Sequence, residues 1–317
     1  MIEWFSFNGV IKMKKIVCVF LLLLTACSTP IKDTEKEVIR FNDDRGEVVE
    51  VVKKPERVAV LMGSYADIWL NAGGEIAASV QDALDRGLVD ESSVIVGSGK
   101  EVNAEQLLAV QPDFVILSTD YPNHMALDQL LTDAKIAHGY FQIDSFDQYL
   151  NSLKIFTDIM DNPKAYETYG SAVKAKVDAI FERLAHVEGN EKVLLLRAFS
   201  TGMKAKASDH FVGEMLNELK ADNIAEHAKL LLDELSMEVI VKENPEIIFV
   251  TMMGSDTQSA IDYVQKEMLS AAWQQVAAVQ KGQVIFLDKE LYHYKPNARW
   301  GEAYEGLAKV LYPDLFQ

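Results

Sequence analysis

One hydrophobic pattern is written twice along this chain. Val102-Asn-Ala-Glu-Gln-Leu-Leu-Ala-Val-Gln-Pro-Asp-Phe-Val-Ile-Leu-Ser118 aligns without a gap on Leu235-Ser-Met-Glu-Val-Ile-Val-Lys-Glu-Asn-Pro-Glu-Ile-Ile-Phe-Val-Thr251, pairing Glu105 with Glu238 and Pro112 with Pro245. Each copy predicts a short amphipathic helix that opens on Asn103 or Ser236, both good N-cap residues. An acidic residue sits in its first turn, where the helix dipole favours an anion, and proline ends it. The unbroken apolar runs that follow, Phe114 to Leu117 and Ile247 to Val250, suit strands buried on both faces of a parallel sheet.

The surrounding pattern repeats as well. Arg57 to Met62 and Lys192 to Arg197 predict first strands, leading into helices at Tyr65 to Ala72 and Phe211 to Leu219. Ala137 to Ile143 and Gln283 to Leu287 predict late strands, followed by helices at Phe146 to Met160 and Arg299 to Leu311. Between the two sets, Tyr166, Tyr169, Val173, Val177, Ile180, Phe181 and Leu184 recur at helical spacing. They predict one long helix from Pro163 to Val187, stopped by Gly189-Asn190. The expected fold is therefore α/β: two open α/β lobes, 38–162 and 189–317, joined by one long helix, 163–188, with a ligand cleft between the lobes. A single connection predicts closure by small angles.

The N-terminus carries processing signals. Lys12, Lys14 and Lys15 precede the apolar run Ile16 to Leu24, too short to span a bilayer. Leu24-Thr25-Ala26-Cys27 then resembles a bacterial lipobox. The expectation is a signal peptide over 1–26 with Met13 as the natural start, lipidation at Cys27, and a flexible tether over 27–37. Cys18 and Cys27 are the two cysteines of the chain, so the rest offers neither a disulfide framework nor a thiolate metal site.

A formal net charge of -17 argues against nucleic acid, whose phosphates call for lysine and arginine clusters. Gly97-Ser-Gly-Lys100 ends like a phosphate loop, but Val94 stands where its first glycine belongs and Glu101 where Ser or Thr belongs. No nucleophile elbow or zinc-protease helix is present, and no carboxylate pair stands out as an acid/base couple. The sequence predicts no enzyme. The six histidines, His124, His138, His186, His210, His227 and His293, are scattered, which disfavours a carrier of free zinc or manganese.

The lipobox, the Arg57-Val58 opening strand, the paired Asn/Ser-x-Glu…Pro-Asp/Glu units and the linking helix come in an order that resembles the iron-siderophore, haem and cobalamin class of ABC-importer binding proteins. The resemblance covers about residues 38 to 315, including a closing helix around Asn297-Ala-Arg-Trp300. It implies a monomer anchored to the outer face of the cell membrane, working with a permease and its ATPase and using no catalytic cofactor. In that class one glutamate near the apex of each lobe meets arginines of the permease, and Glu105 and Glu238 fall at the matching positions. The ligand it implies is a ferric siderophore, with haem and cobalamin as alternatives. The loop Gly97 to Glu101 lacks the flat aromatic expected for cobalamin.

Ligands of open α/β sheets bind beyond the carboxyl ends of the strands. The candidate cleft residues are therefore Met62, Gly63, Ser64, Tyr65, Ser98, Gly99, Lys100, Thr119, Asp120, Tyr121 and His124 in the first lobe. In the second lobe they are Arg197, Ser200, Met203, His210, Met252, Met253, Tyr292, His293, Tyr294 and Lys295. For an anionic chelate, Arg197, Lys204, Lys295 and Arg299 are the available cations. For haem, Tyr292, His293 or His210, and also Tyr65 or Met62, could serve as axial ligands.

Overall fold

The computed structural model describes residues 37–254 and 256–316. The expected signal peptide, the lipidation site Cys27 and nearly all of the tether lie outside these residues. Among the described residues no helix is long and apolar enough to cross a membrane.

The described residues open with a hairpin not expected from the sequence, β1 (Val38–Asn42) against β2 (Val48–Val52). Its turn uses the Asp43 carboxylate to accept the backbone N–H groups of Arg45 and Glu47, with Gly46 at φ 84. Then come β3 (Val58–Val60), β4 (Ala78–Ser79), β5 (Val94–Ile95), β6 (Phe114–Ser118) and β7 (Ala137–Phe141), which pair in parallel in the order β5-β4-β3-β6-β7. The second sheet is built from β8 (Lys192–Phe199), β9 (Gly202–Lys206), β10 (Asp222–Asn223), β11 (Ile247–Met252) and β12 (Val284–Phe286). Its parallel order is β10-β8-β11-β12, while β9 folds back antiparallel on β8 and extends the edge that β10 begins. The two sheets are separate.

The duplicated units share backbone detail. Asn103 caps its helix, Ala104–Ala109, by accepting from Gln106 N at 3.0 Å. Ser236 occupies the same place before Met237–Glu243 with extended backbone but no side-chain bond. Both helices are followed by a left-handed residue, Gln111 at φ 52 and Asn244 at φ 50, immediately before proline. The strands that follow, β6 and β11, are buried along their whole length, as expected for sheets covered on both faces.

The connection between the halves differs from the expected uninterrupted helix. It runs as an α-helix over Pro163–Tyr166, one π turn over Glu167–Ser171, and an α-helix over Ala172–Arg183. The Tyr149 hydroxyl donates to the Tyr169 carbonyl at 2.8 Å, inside the widened turn. Helix geometry stops at Arg183, before the predicted end, because the Lys220 ammonium donates to the Leu184 and Val187 carbonyls and holds that segment in turns.

The helix is not the sole link between the halves. One buried cluster takes in Val60, Trp69 and Phe156 of the first half, Val177 and Ile180 of the connecting helix, and Leu195, Phe211 and Trp300 of the second. Trp300 opens the last helix, Trp300–Leu311, and is fully buried. Its ring lies 5.8 Å from Phe146, 6.0 Å from Phe211 and 5.9 Å from Tyr304. Nearby, Asn297 Nδ2 donates to the Ser64 carbonyl at 2.9 Å and to Asp67 Oδ2 at 2.7 Å. Trp300→Ala would remove the centre of this junction and should cost roughly 3–5 kcal/mol in urea unfolding. A loss below about 1 kcal/mol would mean that the two halves hold together without it.

Candidate functional site

A cavity of about 560 Å³ lies where the carboxyl ends of both sheets converge. From the first half, Met62, Gly63 and Ser64 follow β3, Asp82 follows β4, and Ser98, Gly99 and Lys100 follow β5. Asp120 and Tyr121 follow β6, and Asp144 follows β7. From the second half come Arg197 on β8, Lys206 at the end of β9, and Asp209, His210 and Phe211 just beyond it. Met253 follows β11, and His293, Tyr294 and Lys295 come after the helix Lys289–Tyr292. This is the crevice geometry expected of open α/β sheets.

Arg197 is the chemical focus. Burial pulls its guanidinium below the usual arginine range, only partly opposed through space by Asp209. Its Nε is buried without a hydrogen-bond partner. Lys206 is paired with Asp209. Lys295 lies 2.5 Å from Asp144 across the two halves. Burial pushes the Asp144 carboxyl up, but the Lys295 charge and hydrogen bond bring it below the ordinary value.

Two histidines add neutral donors. His210 is 5% exposed and caps the helix Phe211–Glu218, its Nδ1 accepting from Val212 N at 3.2 Å. That bond fixes the proton on Nε2, which is buried without a partner. Burial, reinforced by the charges of Arg197, Lys295 and Lys206, holds its proton affinity well below the usual range. His293 has an unpartnered Nδ1, and burial beside Arg197 takes it down to about 4. Burial pushes the carboxyls of Asp82 and Asp120 up.

Of the residues expected in the cleft, Met62, Gly63, Ser64, Ser98, Gly99, Lys100, Asp120, Tyr121, Arg197, His210, Met253, His293, Tyr294 and Lys295 line the cavity together. The other candidates, Thr119, Ser200 and Met203 among them, do not. Tyr65 is fully buried in the first half, its hydroxyl donating to the Phe141 carbonyl at 2.9 Å and lying 3.1 Å from Ser118 Oγ. Met252 packs into the second half's core; successive strand residues face opposite ways, so its neighbour Met253 reaches the cavity. Tyr292 is buried with its hydroxyl donating to the Ala303 carbonyl at 2.9 Å, which withdraws it as an axial haem ligand. Arg299 turns outward onto Glu302 at 2.6 Å. Lys204 is exposed, and Lys206 takes the place expected of it. His124 lies behind the wall, fully buried, with Nδ1 accepting from Ser118 N at 3.0 Å.

Sequence reasoning missed Asp82, Asp144, Lys206, Asp209 and Phe211. Asp82 follows a strand too short to show a pattern. Lys206 ends a strand whose Gly-Met-Lys-Ala-Lys alternation was the available signal. Glu105 and Glu238 are exposed at equivalent places on the two short helices, with no ion pair among the described residues.

The histidines set the acid limb of stability. An unfolded imidazole takes up a proton near 6.5, whereas His293 and His124 in the folded protein resist to about 4. Between those values the unfolded chain binds more protons, so stability falls as pH falls through that window. Each group should contribute on the order of 1–3 kcal/mol to the loss. In urea unfolding, His293→Gln should flatten the decline between pH 6.5 and 4; an unchanged slope would refute this assignment.

Residues 58–291 match the family described as periplasmic binding protein. The chain is 23% identical over 299 residues to the ferric-anguibactin-binding protein FatB of Vibrio anguillarum, covering 88% of this chain and 90% of that protein. It is 22% identical over 257 residues to the molybdate-binding protein MolA of Haemophilus influenzae, covering 72% and 68%. The crystal structure of Staphylococcus aureus SirA complexed with staphyloferrin B superposes with a TM-score of 0.66 at 19% identity, over 86% of this chain and 98% of that one. The matched span takes in both five-stranded sheets, the helix between them and most of the cavity wall, and the chain belongs to the periplasmic binding protein family.

Proposed function

We propose that this chain is the capture protein of an ABC importer, binding a ferric siderophore outside the cytoplasm and handing it to a permease without altering it. The observation that carries this reading is Arg197, a half-buried guanidinium whose Nε is buried without a partner, on a cavity large enough for a metal chelate. A charge held away from water without a partner is costly, and an anionic ligand would relieve that cost. The family supports extracytoplasmic binding as the role, and the names of FatB and SirA's ligand support a siderophore as its object. A second reading, haem, draws on the unpartnered nitrogens of His210 and His293.

The remainder of the proposal concerns the membrane. Leu24-Thr25-Ala26-Cys27 supports lipid anchoring at Cys27, followed by a tether over 27–37. Glu105 and Glu238, exposed at equivalent places on two rigid halves, offer a fixed pair of negative charges that would set register and on-rate on a basic permease surface. The lobes are taken as 38–162 and 189–317 about the connecting helix.

Quenching of intrinsic Trp and Tyr fluorescence by ferric catecholates, ferric hydroxamates, haem and cobalamin tests the ligand. Saturable quenching by a ferric chelate is expected, with recovery of the intact chelate afterwards. Arg197→Ala should weaken it roughly ten- to a hundredfold, the loss of one charge-assisted bond. A Soret band with no response to ferric chelates would favour haem instead. In cells, Glu105→Ala with Glu238→Ala should abolish uptake while leaving ligand affinity unchanged; a large fall in affinity would refute the docking role.

A further inference from the structure

We propose that the cavity selects a ferric chelate of mixed charge, one that turns an anionic face to Arg197 and a protonated amine or comparable cation to Asp82 and Asp120. The proposal rests on the reading that the ligand is a ferric chelate and specifies its chemistry.

The charges on the cavity wall sort into two sets. Lys206 with Asp209 and Lys295 with Asp144 satisfy each other within the protein. Left over are the half-buried Arg197 guanidinium on the second half and, on the first, the half-buried Asp82 carboxylate with the exposed Asp120 and Lys100, none in an ion pair among the described residues. Arg86 and Lys289 act on Asp82 only through space, and both are turned toward the Tyr294 ring, at 4.3 and 5.3 Å. Gly63 clears the space that Asp82 occupies, since a Cβ there would come within 2.1 Å of Asp82 Oδ2. The start of the helix Gly63–Asn71 offsets part of the negative charge without capping it by that side chain.

The second, independent observation lies opposite. His210, 5% exposed, holds an unpartnered Nε2–H on the cavity beside Arg197. Donors thus gather on the second wall, while the first carries two carboxylates without an ion-pair partner among the described residues beside the exposed Lys100. Burial disfavours the charged form on both sides, lowering the proton affinity of Arg197 and raising that of Asp82 and Asp120. A ligand charged like the wall it faces would deepen both penalties, and one of complementary pattern relieves both. The carboxylates also work as exclusion: a polyanionic chelate that suits Arg197 is repelled from the first wall.

A matched ligand pair tests this. The ferric complex of bis(2,3-dihydroxybenzoyl)spermidine carries anionic catecholates and a protonated secondary amine; acetylating that amine removes only the cation. Fluorescence titration of the wild-type protein should show at least about tenfold tighter binding of the free amine, the value of one charge-assisted hydrogen bond. A trianionic ferric tricatecholate should bind more weakly than the free-amine complex. Asp82→Asn with Asp120→Asn should erase the preference for the amine. Equal affinity for the matched pair, or tightest binding of the tricatecholate, would overturn the mixed-charge proposal while leaving ferric-chelate capture standing. Absence of saturable binding by all three complexes would instead remove the ferric-chelate reading, and this proposal with it. The wild-type comparison decides the matter even if the double variant fails to fold.

Discussion

The structure depends on a buried aromatic junction between its halves. Trp300 packs on Phe146 of the first half and on Phe211 and Tyr304 of the second. Because these rings share one core with the connecting helix, the walls of the cavity are parts of a single packed body. Dense interiors of this kind deform little. The floor also sets the chemistry above it. Phe211 follows His210 directly and stacks under its ring at 4.8 Å, and Lys295 lies 5.1 Å above the Phe211 ring. The residues that fix the halves thereby fix two of the polar groups on the cavity.

Rigidity matters because the cavity is electrostatically expensive. Arg197 and Asp82 are held partly out of water without direct counter-ions among the described residues, and a flexible cleft would relax by letting them meet water or one another. The Asp144–Lys295 pair spans the halves at the cavity wall, and Asn297 ties the same segment to Ser64 and Asp67. These contacts keep the opposite walls apart while holding them in register. Preorganised charge of this sort favours a ligand that fits without rearrangement.

Much of the fold was legible in the sequence, for a physical reason. Strands buried on both faces must be apolar throughout, so Phe114 to Leu117 and Ile247 to Val250 declared themselves, and the left-handed residue before each proline repeats with them. The hairpin β1–β2 escaped notice because every second residue faces water, and the returning strand β9 because it is short and interrupts its apolar positions with Lys204 and Lys206. The cavity was legible by position but not by orientation. Residues after strands were found, yet whether a side chain turns inward depends on helix and strand phase, which separates Met253 from Met252 and His293 from Tyr292. Partners such as Asp144 for Lys295 come from distant segments, and no local pattern records them.

The π turn at Glu167–Ser171 has a geometric meaning of its own. The buried positions Ala165, Gly170, Val173, Val177 and Ile180 keep helical spacing except between the first two, where one extra residue is accommodated. One residue corresponds to about 100° of azimuth around a helix axis. Without the widened turn, either the beginning or the end of the connector would present its polar side to the core. A single accommodated residue thus keeps the apolar stripe of the connector continuous from one half of the molecule to the other.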